Sequence, residues 1–389
     1  MRNSYLNVKK KLFIVTTIPA TLNFFKGNLA FLTTFYHVCA ISSEKERLRE
    51  IAQREGIEYR EIPMKRQISL FWDIICLLKF LLLFLRERPD IVHGNTPKAS
   101  MLSMVASWIT RVPVRIYMCH GLRYQGTSGK LRKLLMFMER LSCSCATEVI
   151  CVSKGVRDTL VNDGICKNEK AVVVGYGSAA GIDLIYFSSN AVKENKSIRQ
   201  QLDISEKSFV FIFIGRIVAD KGINELVSTF SRLTGEGLDL DLILVGAEER
   251  DLNPISDSSL EEIRKNKRIH AVGRQSDIRP YLLAADTMVF PSYREGFGMV
   301  LIEAAAMGIP AISSDIIGCN EIIMNGINGK LIPTKNAEAL YQEMKWFYEH
   351  KDLEVMQMKN VTREMVENRY EQKMVWSLLL TEYQRLENR

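Results

Sequence analysis

The sequence predicts an α/β protein built from two doubly wound domains, and three observations lead to that class. The chain has 389 residues, 47% hydrophobic and 25% charged, which is a globular composition with enough length for two domains. Short apolar runs alternate with longer helical patterns along the chain, as parallel strands do when crossover helices join them. Near the middle, one polar stretch at 187–207 breaks the alternation and reads as an interdomain linker.

In the first half the strand-like runs fall at 12–16, 91–93, 114–118, 148–152 and 171–174. After the polar stretch a second series follows at 209–214, 240–245, 269–272, 287–290, 311–313 and 329–332. The tail from 364 to 389 reads as a helix with no strand after it. The expected organisation is therefore a first domain at 1–190, a linker at 191–207, a second domain at 208–363 and a terminal helix at 364–389. Doubly wound sheets bind ligands beyond the carboxyl ends of their strands, so loops after strands, and a cleft between the domains, are the places to look for chemistry. No short-period repeat is present, which excludes a solenoid.

Charge is divided unevenly. Residues 1–190 hold 27 lysines and arginines against 15 acids, a balance of +12, and the remainder is −5. The first half is expected to face something anionic: nucleic acid, a phospholipid surface or a phosphorylated substrate. No nucleic-acid-binding motif is found. Two segments favour the lipid surface. Residues 68–85 are nearly all apolar, but Asp73 and Lys79 interrupt them and they fall short of the roughly 20 residues that span a bilayer. The alternative for this segment is a buried helix of an α/β domain. Residues 130–140 alternate basic and apolar side chains at helical spacing, which suits either an anionic membrane surface or a solvated amphipathic helix. The eight cysteines form no CxxC pair and no zinc-spaced cluster, and are expected to be reduced core residues of a cytoplasmic protein. The N-terminal basic residues precede an apolar run broken by Pro19, Asn23 and Lys26, which argues against secretion.

Two turns in the second half carry the chemistry. After the strand at 209–214 comes GRIVADKG, with Gly215 and Gly222 at its ends and the cations Arg216 and Lys221 near a helix start. Such a turn lets backbone approach a diphosphate, and each cation within about 4 Å of a phosphate contributes on the order of 4 kcal/mol before desolvation. After the strand at 287–290 comes PSYREGFG, and a helix begins there. Gly296, Phe297 and Gly298 free backbone amides at a helix N-terminus, where the dipole favours an anion. Glu295 and Glu303 flank that turn. Eight helical steps separate residues by about 12 Å, too far for the roughly 5 Å pair of a retaining glycosidase. Each carboxylate is instead expected to hold a different part of one extended ligand through its hydroxyls.

Glu295 and Glu303 with seven residues between them, with GRIVADKG upstream, VGRQSDIRPYLLAAD at 272–286 and GCNEIIMNGINGKLIP at 318–333, resemble the family 4 retaining glycosyltransferases of the GT-B fold. Within that family IVHGNTPKASMLS at 91–103 and YMCHGLRYQG at 117–126 are similar to bacterial transferases that build capsule, O-antigen or glycoprotein repeat units on undecaprenyl diphosphate. The resemblance implies a GT-B architecture with a terminal helix crossing back to the first domain. It implies Glu295 and the following amides at the donor hexose, Glu303 at the ribose, Gly215, Arg216 and Lys221 at the diphosphate, and backbone near Arg274 at the base. His120, after the strand at 114–118, is implied beside the donor sugar, and Arg123, Lys130 and Lys133 are candidates for the acceptor diphosphate. The implied reaction is metal-independent hexosyl transfer, needing no cofactor, from a nucleotide sugar to a lipid-linked glycan at the cytoplasmic membrane face. A sugar-nucleotide epimerase and a catalytically inactive sugar-nucleotide-binding subunit are the alternatives. The chain departs from the family after its first strand, where TTIPATLNFFKGNLA has only Gly27 in place of a glycine pair.

Two further motifs lead elsewhere and are set aside. Asp239-Leu240-Asp241 resembles a metal-binding DxD but runs into a strand without further acidic ligands. The glycines at 175–181 approximate a dinucleotide fingerprint with the wrong spacing and no following acid, so a dehydrogenase is not expected.

Overall fold

The computed structural model describes residues 9–192, 197–250 and 253–389. The N-terminal residues 1–8 and the middle of the expected linker, 193–196, lie outside the described residues. The chain divides into two compact units, Met1–Ala180 with Lys373–Arg389, and Gly181–Gln372.

The first unit contains β1 (Lys11–Val15), β2 (His37–Ser42), β3 (Glu58–Glu61), β4 (Ile91–Asn95), β5 (Val114–Cys119), β6 (Glu148–Cys151) and β7 (Ala171–Val172). They form one parallel sheet in the order β3-β2-β1-β4-β5-β6-β7. Its helices are α1 (Asn28–Leu32), α2 (Lys45–Glu55), α3 (Leu70–Glu87), α4 (Pro97–Ile109), α5 (Gly129–Cys145) and α6 (Lys154–Asn162). α3, α4 and α5 pack side by side. Leu12, Phe13, Ile14 and Val15 of β1 are buried, as a central strand covered on both faces requires.

The second unit contains α7 (Ile198–Gln201), β8 (Phe209–Ile214), α8 (Ile223–Gly235), β9 (Leu240–Val245), α9 (Asp257–Lys265) and β10 (Ile269–Gly273). It continues with α10 (Arg279–Leu283), β11 (Thr287–Phe290), α11 (Met299–Ala306), β12 (Ala311–Ser314), β13 (Gly329–Ile332), α12 (Ala337–Glu349) and α13 (Glu354–Tyr370). The strands form a second parallel sheet, ordered β10-β9-β8-β11-β12-β13. In both sheets the order reverses beside the first strand, between β1 and β4 and between β8 and β11. Those reversals are the switch points where doubly wound sheets open a crevice.

The polar stretch expected as a linker belongs to the second unit. Its approach is tied down: the Arg363 guanidinium donates to the Leu184 and Phe187 carbonyls, and Arg279 donates to the Tyr186 carbonyl. The tail differs from a single helix starting at 364. α13 begins ten residues earlier, and after Glu371 a separate helix, α14 (Gln372–Glu387), follows. The break has a tertiary cause, because Ile182 N donates to the Tyr370 carbonyl and Gln372 N donates to the Ile182 carbonyl. From Lys373 onward α14 is part of the first unit, where Trp376 Nε1 donates to the Ala180 carbonyl at 2.9 Å.

The segment at 68–85 is neither of its two alternatives in full. α3 buries Asp73, Cys76, Phe80 and Phe84 and exposes its other side. Among the described residues no helix is long and apolar enough to cross a membrane. All eight cysteines are buried and free.

Candidate active site

The chemistry-bearing residues of the second unit gather beyond β8 and β11, the two strands at its switch point. β8 ends at Ile214, and the chain turns through Gly215 and Arg216 to Gly222, where α8 starts. Gly222 has φ +70°, and a Cβ there would lie 2.2 Å from the Pro291 carbonyl oxygen. Only glycine lets this turn lie directly on the one that follows β11. Polar contacts then join the two turns. Tyr293 N donates to the Asp220 carbonyl at 2.9 Å, the Tyr293 hydroxyl donates to Glu225 at 2.5 Å, and Arg294 pairs with the Asp220 carboxylate at 3.2 Å.

The consequence is that Lys221 and Glu295, 74 residues apart, form an ion pair with both side chains mostly buried. The Ser292 hydroxyl donates to the same Glu295 oxygen at 3.0 Å. Lys221 Nζ also lies 5.4 Å from the centre of the Phe290 ring. A third turn closes on this pair. Gly318, at φ +77°, packs so tightly that a Cβ would fall 2.5 Å from the Gly296 carbonyl oxygen. Phe297 is buried with its ring edge-on to Tyr370, fixing the turn from below.

Gly298 caps α11, and Glu303 stands on that helix. Its carboxyl has no hydrogen-bond or ionic partner among the described residues, and burial pushes its pKa up to about 7. An unpaired carboxyl in such surroundings is a group waiting for donors. Arg216 is 46% exposed and pairs with Glu249 at 2.9 Å. Arg274 is exposed just past β10, the edge strand, and no contact joins it to the Lys221–Glu295 cluster. The structure thus brings Gly215, Arg216, Lys221, Glu295, Gly296, Phe297, Gly298 and Glu303 to one switch point and leaves Arg274 two strands away.

In the first unit His120 follows β5. Its Nε2 lies 3.0 Å from Asn95 Oδ1, and burial lowers its pKa to about 4, so the neutral ring donates through Nε2. Phe24 stacks on it, with centroids 6.0 Å apart, and Phe25 meets it edge-on. Beneath lies His93, wholly buried, with a pKa lowered to about 3 by burial and by His120. The Tyr383 hydroxyl reaches His93 Nδ1 at 2.5 Å, while His93 Nε2 has no partner among the described residues. Thr96, after β4, holds φ +70°, a strained value for a β-branched residue; its hydroxyl accepts from Thr17 N at 3.2 Å. Arg123 lies in the turn at Arg123–Gly126, and Lys130 and Lys133 in the first turn of α5, all exposed.

Sequence reasoning did not single out Ser292, Tyr293, Glu225, Asn95 or Phe24. Ser292 and Tyr293 lie inside a turn that position alone marked, and Asn95 ends a strand at the switch point. Glu225 and Phe24 carry no local signal. The DxD candidate is engaged otherwise. Asp241 accepts from Ser208 and Arg268 and pairs with His270 at 2.7 Å, and Asp239 pairs with Arg268. These contacts draw the Asp241 pKa down although burial opposes it.

Comparison with known proteins agrees with this geometry. Residues 194–365 match the model of glycosyl transferases group 1, and residues 33–177 match a glycosyl transferase 4-like domain. The capsular polysaccharide biosynthesis glycosyltransferase CapM of Staphylococcus aureus is 31% identical, over 96% of this chain and 97% of that protein. An Escherichia coli UDP-Gal:alpha-D-GlcNAc-diphosphoundecaprenol alpha-1,3-galactosyltransferase is 26% identical over 75% of this chain and 74% of its own. In structure, Anabaena HepE in complex with UDP-glucose superposes with a TM-score of 0.78 at 18% identity, covering 96% of this chain and 99% of that one. With two doubly wound parallel sheets, a charged cluster at the second switch point and a full-length relative above 30% identity, the chain belongs to the group 1 glycosyltransferases of the GT-B fold.

Proposed function

We propose that this glycosyltransferase moves a hexose or N-acetylhexosamine, with retention, from a uridine diphosphate sugar to a sugar carried on undecaprenyl diphosphate. The observation that carries the reading is the Lys221–Glu295 pair held at the β8/β11 switch point, with Arg216 in the turn after β8 and Glu303 on the helix after β11. Diphosphate and sugar are the ligand halves that a cation and an acid so placed would divide. Lys221 and Arg216 take the diphosphate, as do the amides at the start of α11; Glu295 takes the hexose hydroxyls, and Glu303 the ribose diol. Arg274 meets the base through backbone. Charge on the departing nucleotide is then stabilised by groups already in position, and no metal ion or cofactor is required. His120, neutral and fixed by Asn95, is assigned to the transferred sugar, and Arg123, Lys130 and Lys133 are assigned to the acceptor diphosphate. The names of the Staphylococcus and Escherichia relatives support a lipid-linked acceptor in bacterial surface polysaccharide assembly. Such an acceptor places the enzyme at the cytoplasmic face of the membrane as a peripheral protein.

The test is transfer from a panel of nucleotide sugars to a short-chain, detergent-soluble undecaprenyl-type acceptor, with and without a chelator. Replacing Arg216 and Lys221 together by alanine is expected to reduce turnover at least a hundredfold, about 3 kcal/mol of transition-state stabilisation. Undiminished turnover would remove the diphosphate assignment, and loss of transfer in the chelator would remove metal independence. Conversion of a nucleotide sugar to its epimer without acceptor would replace transfer by epimerisation.

A further inference from the structure

We infer that the face formed by α3 and the exposed parts of α4 and α5 docks on an anionic lipid bilayer, with α3 lying flat in the interface. The inference rests on the lipid-linked acceptor proposed above and names the surface through which that lipid is met. At about 100° per residue, Phe71, Ile74, Leu78, Leu82 and Leu85 fall on one narrow stripe of α3. All five are exposed, Phe71 at 72% and Leu82 at 69%. The opposite side of the same helix carries Asp73, Cys76, Phe80 and Phe84, all buried. Asp73 forms a buried ion pair with Lys98 of α4 at 2.8 Å, and Lys98 also donates to the Gln67 carbonyl. That pair and the three core side chains fix the rotation of α3, so the apolar stripe cannot turn inward. A stripe about 21 Å long at 1.5 Å per residue is thus held facing out.

The neighbours extend the surface. α4 lies beside α3 and ends in exposed Trp108 and Ile109, and α5 lies beside α4 and exposes Leu131, Leu134 and Phe137. Isolated exposed leucines need no explanation, but these ten exposed large apolar side chains on three helices packed in series do. Charge selects the occupant. Lys65 and Arg66 precede α3, Lys79 and Arg86 flank its stripe, and Lys130 and Lys133 border the apolar residues of α5, all exposed. Lys65 additionally sits 4.7 Å from the ring of Trp72. Apolar side chains ringed by cations, with tryptophan at the margin, match acyl chains below anionic headgroups. A second copy of the chain fits poorly, because a two-fold contact would set the same basic rims against each other.

Vesicles of equal parts phosphatidylglycerol and phosphatidylethanolamine, set against pure phosphatidylcholine, test this by co-sedimentation of the full chain at low salt. The protein is expected to bind the anionic vesicles at least tenfold more tightly, with blue-shifted tryptophan emission. Leu78→Glu with Leu82→Glu is expected to weaken binding at least tenfold. Lys79→Gln with Arg86→Gln is expected to flatten its salt dependence. All these side chains are exposed, so melting temperature and transfer to the detergent-soluble acceptor should match the parent. If the glutamate variant does not fold, quenching of the parent's tryptophans by brominated anionic lipid stands in, and no quenching overturns the inference. It is also overturned if the parent does not bind, if the variants bind like the parent, or if the glutamate changes only dissolve a dimer. Failure of transfer in the parent would count against the proposed reaction and leave vesicle binding as a separate reading.

Discussion

Glu303 is the residue at which stability and function pull apart. Its carboxyl is raised to about 7 by burial and meets no partner among the described residues. The sign follows from linkage: below pH 4.5 the group is protonated whether folded or unfolded, and as pH rises toward 7 only the unfolded chain can ionise freely. Stability associated with this group is therefore present at low pH and lost as pH rises through 7. Glu303→Gln is expected to stabilise the ligand-free protein at pH 8 by up to about 3 kcal/mol, the equivalent of the shift, and to leave it unchanged at pH 4. The same substitution is expected to weaken uridine diphosphate binding, because a carboxylate accepting two hydroxyls is replaced by an amide. Binding by the parent should strengthen from pH 6 to pH 8, with proton release, and the variant should lose that dependence. Calorimetry in buffers of different ionisation enthalpy measures both, and a variant that binds uridine diphosphate as the parent does would remove the ribose role.

At the scale of elements, the proposed donor site depends on two turns held together more than on either turn alone. The Tyr293 hydroxyl bonds Glu225 on α8, and burial with that carboxylate raises the tyrosine pKa, so the hydroxyl stays protonated and donates. Among the described residues Glu225 Oε2 has no partner and Tyr293 is the one side-chain donor to this carboxylate, so removing the hydroxyl leaves it without one. Tyr293→Phe is expected to lose about 1–2 kcal/mol of stability, a few degrees in the melting temperature of a unit this size. kcat/KM is expected to fall more than the donor Kd rises, because the hydroxyl ties the turn that carries Glu295 to α8. Equal changes in both would make the contact purely structural.

The sequence makes the strands of the second unit legible to within one residue, because β8, β9 and β11 are buried along their whole length and read as mostly apolar runs. It hides β3, an edge strand of sequence EYRE with no buried residue, which joins the sheet through backbone pairing and the charged contacts Glu58–His37 and Arg60–Glu87. β2 is buried but carries Cys39 and Ala40 where β-branched residues would have marked it, and no turn signal precedes His37. Arg216, Lys221 and Glu295 are legible because each sits beside a glycine in a turn that follows a strand. Their partners are not, since Tyr293–Glu225 and Lys221–Glu295 join residues 68 and 74 positions apart. The exposed stripe of α3 is hidden for a related reason: its composition suits burial, and only the Asp73–Lys98 pair decides which side faces inward.

Across the whole molecule, the chain returns to its first unit to finish it. α14 supplies Trp376, Leu379, Leu380, Tyr383 and Leu386, all buried. Tyr383 is a partner of His93, Trp376 packs where a side chain on Gly27 would collide with it, and Arg385 pairs with buried Glu148. At about 1.5–3 kcal/mol per buried large side chain, the helix contributes on the order of 10 kcal/mol, comparable to the entire stability of a domain. A chain ending at Gln372 is therefore expected to lose the fold of the first unit, uncovering His93 and the loop around Phe24. The residues assigned to the donor, from Gly215 to Glu303, all lie in the second unit, which keeps every one of its strands. The truncated chain should accordingly bind uridine diphosphate within about threefold of the parent affinity, a difference under 1 kcal/mol, while transfer activity disappears. Limited proteolysis should degrade residues before Ala180 and spare a fragment beginning near Gly181. Loss of nucleotide binding together with transfer would show that the second unit does not hold the donor on its own.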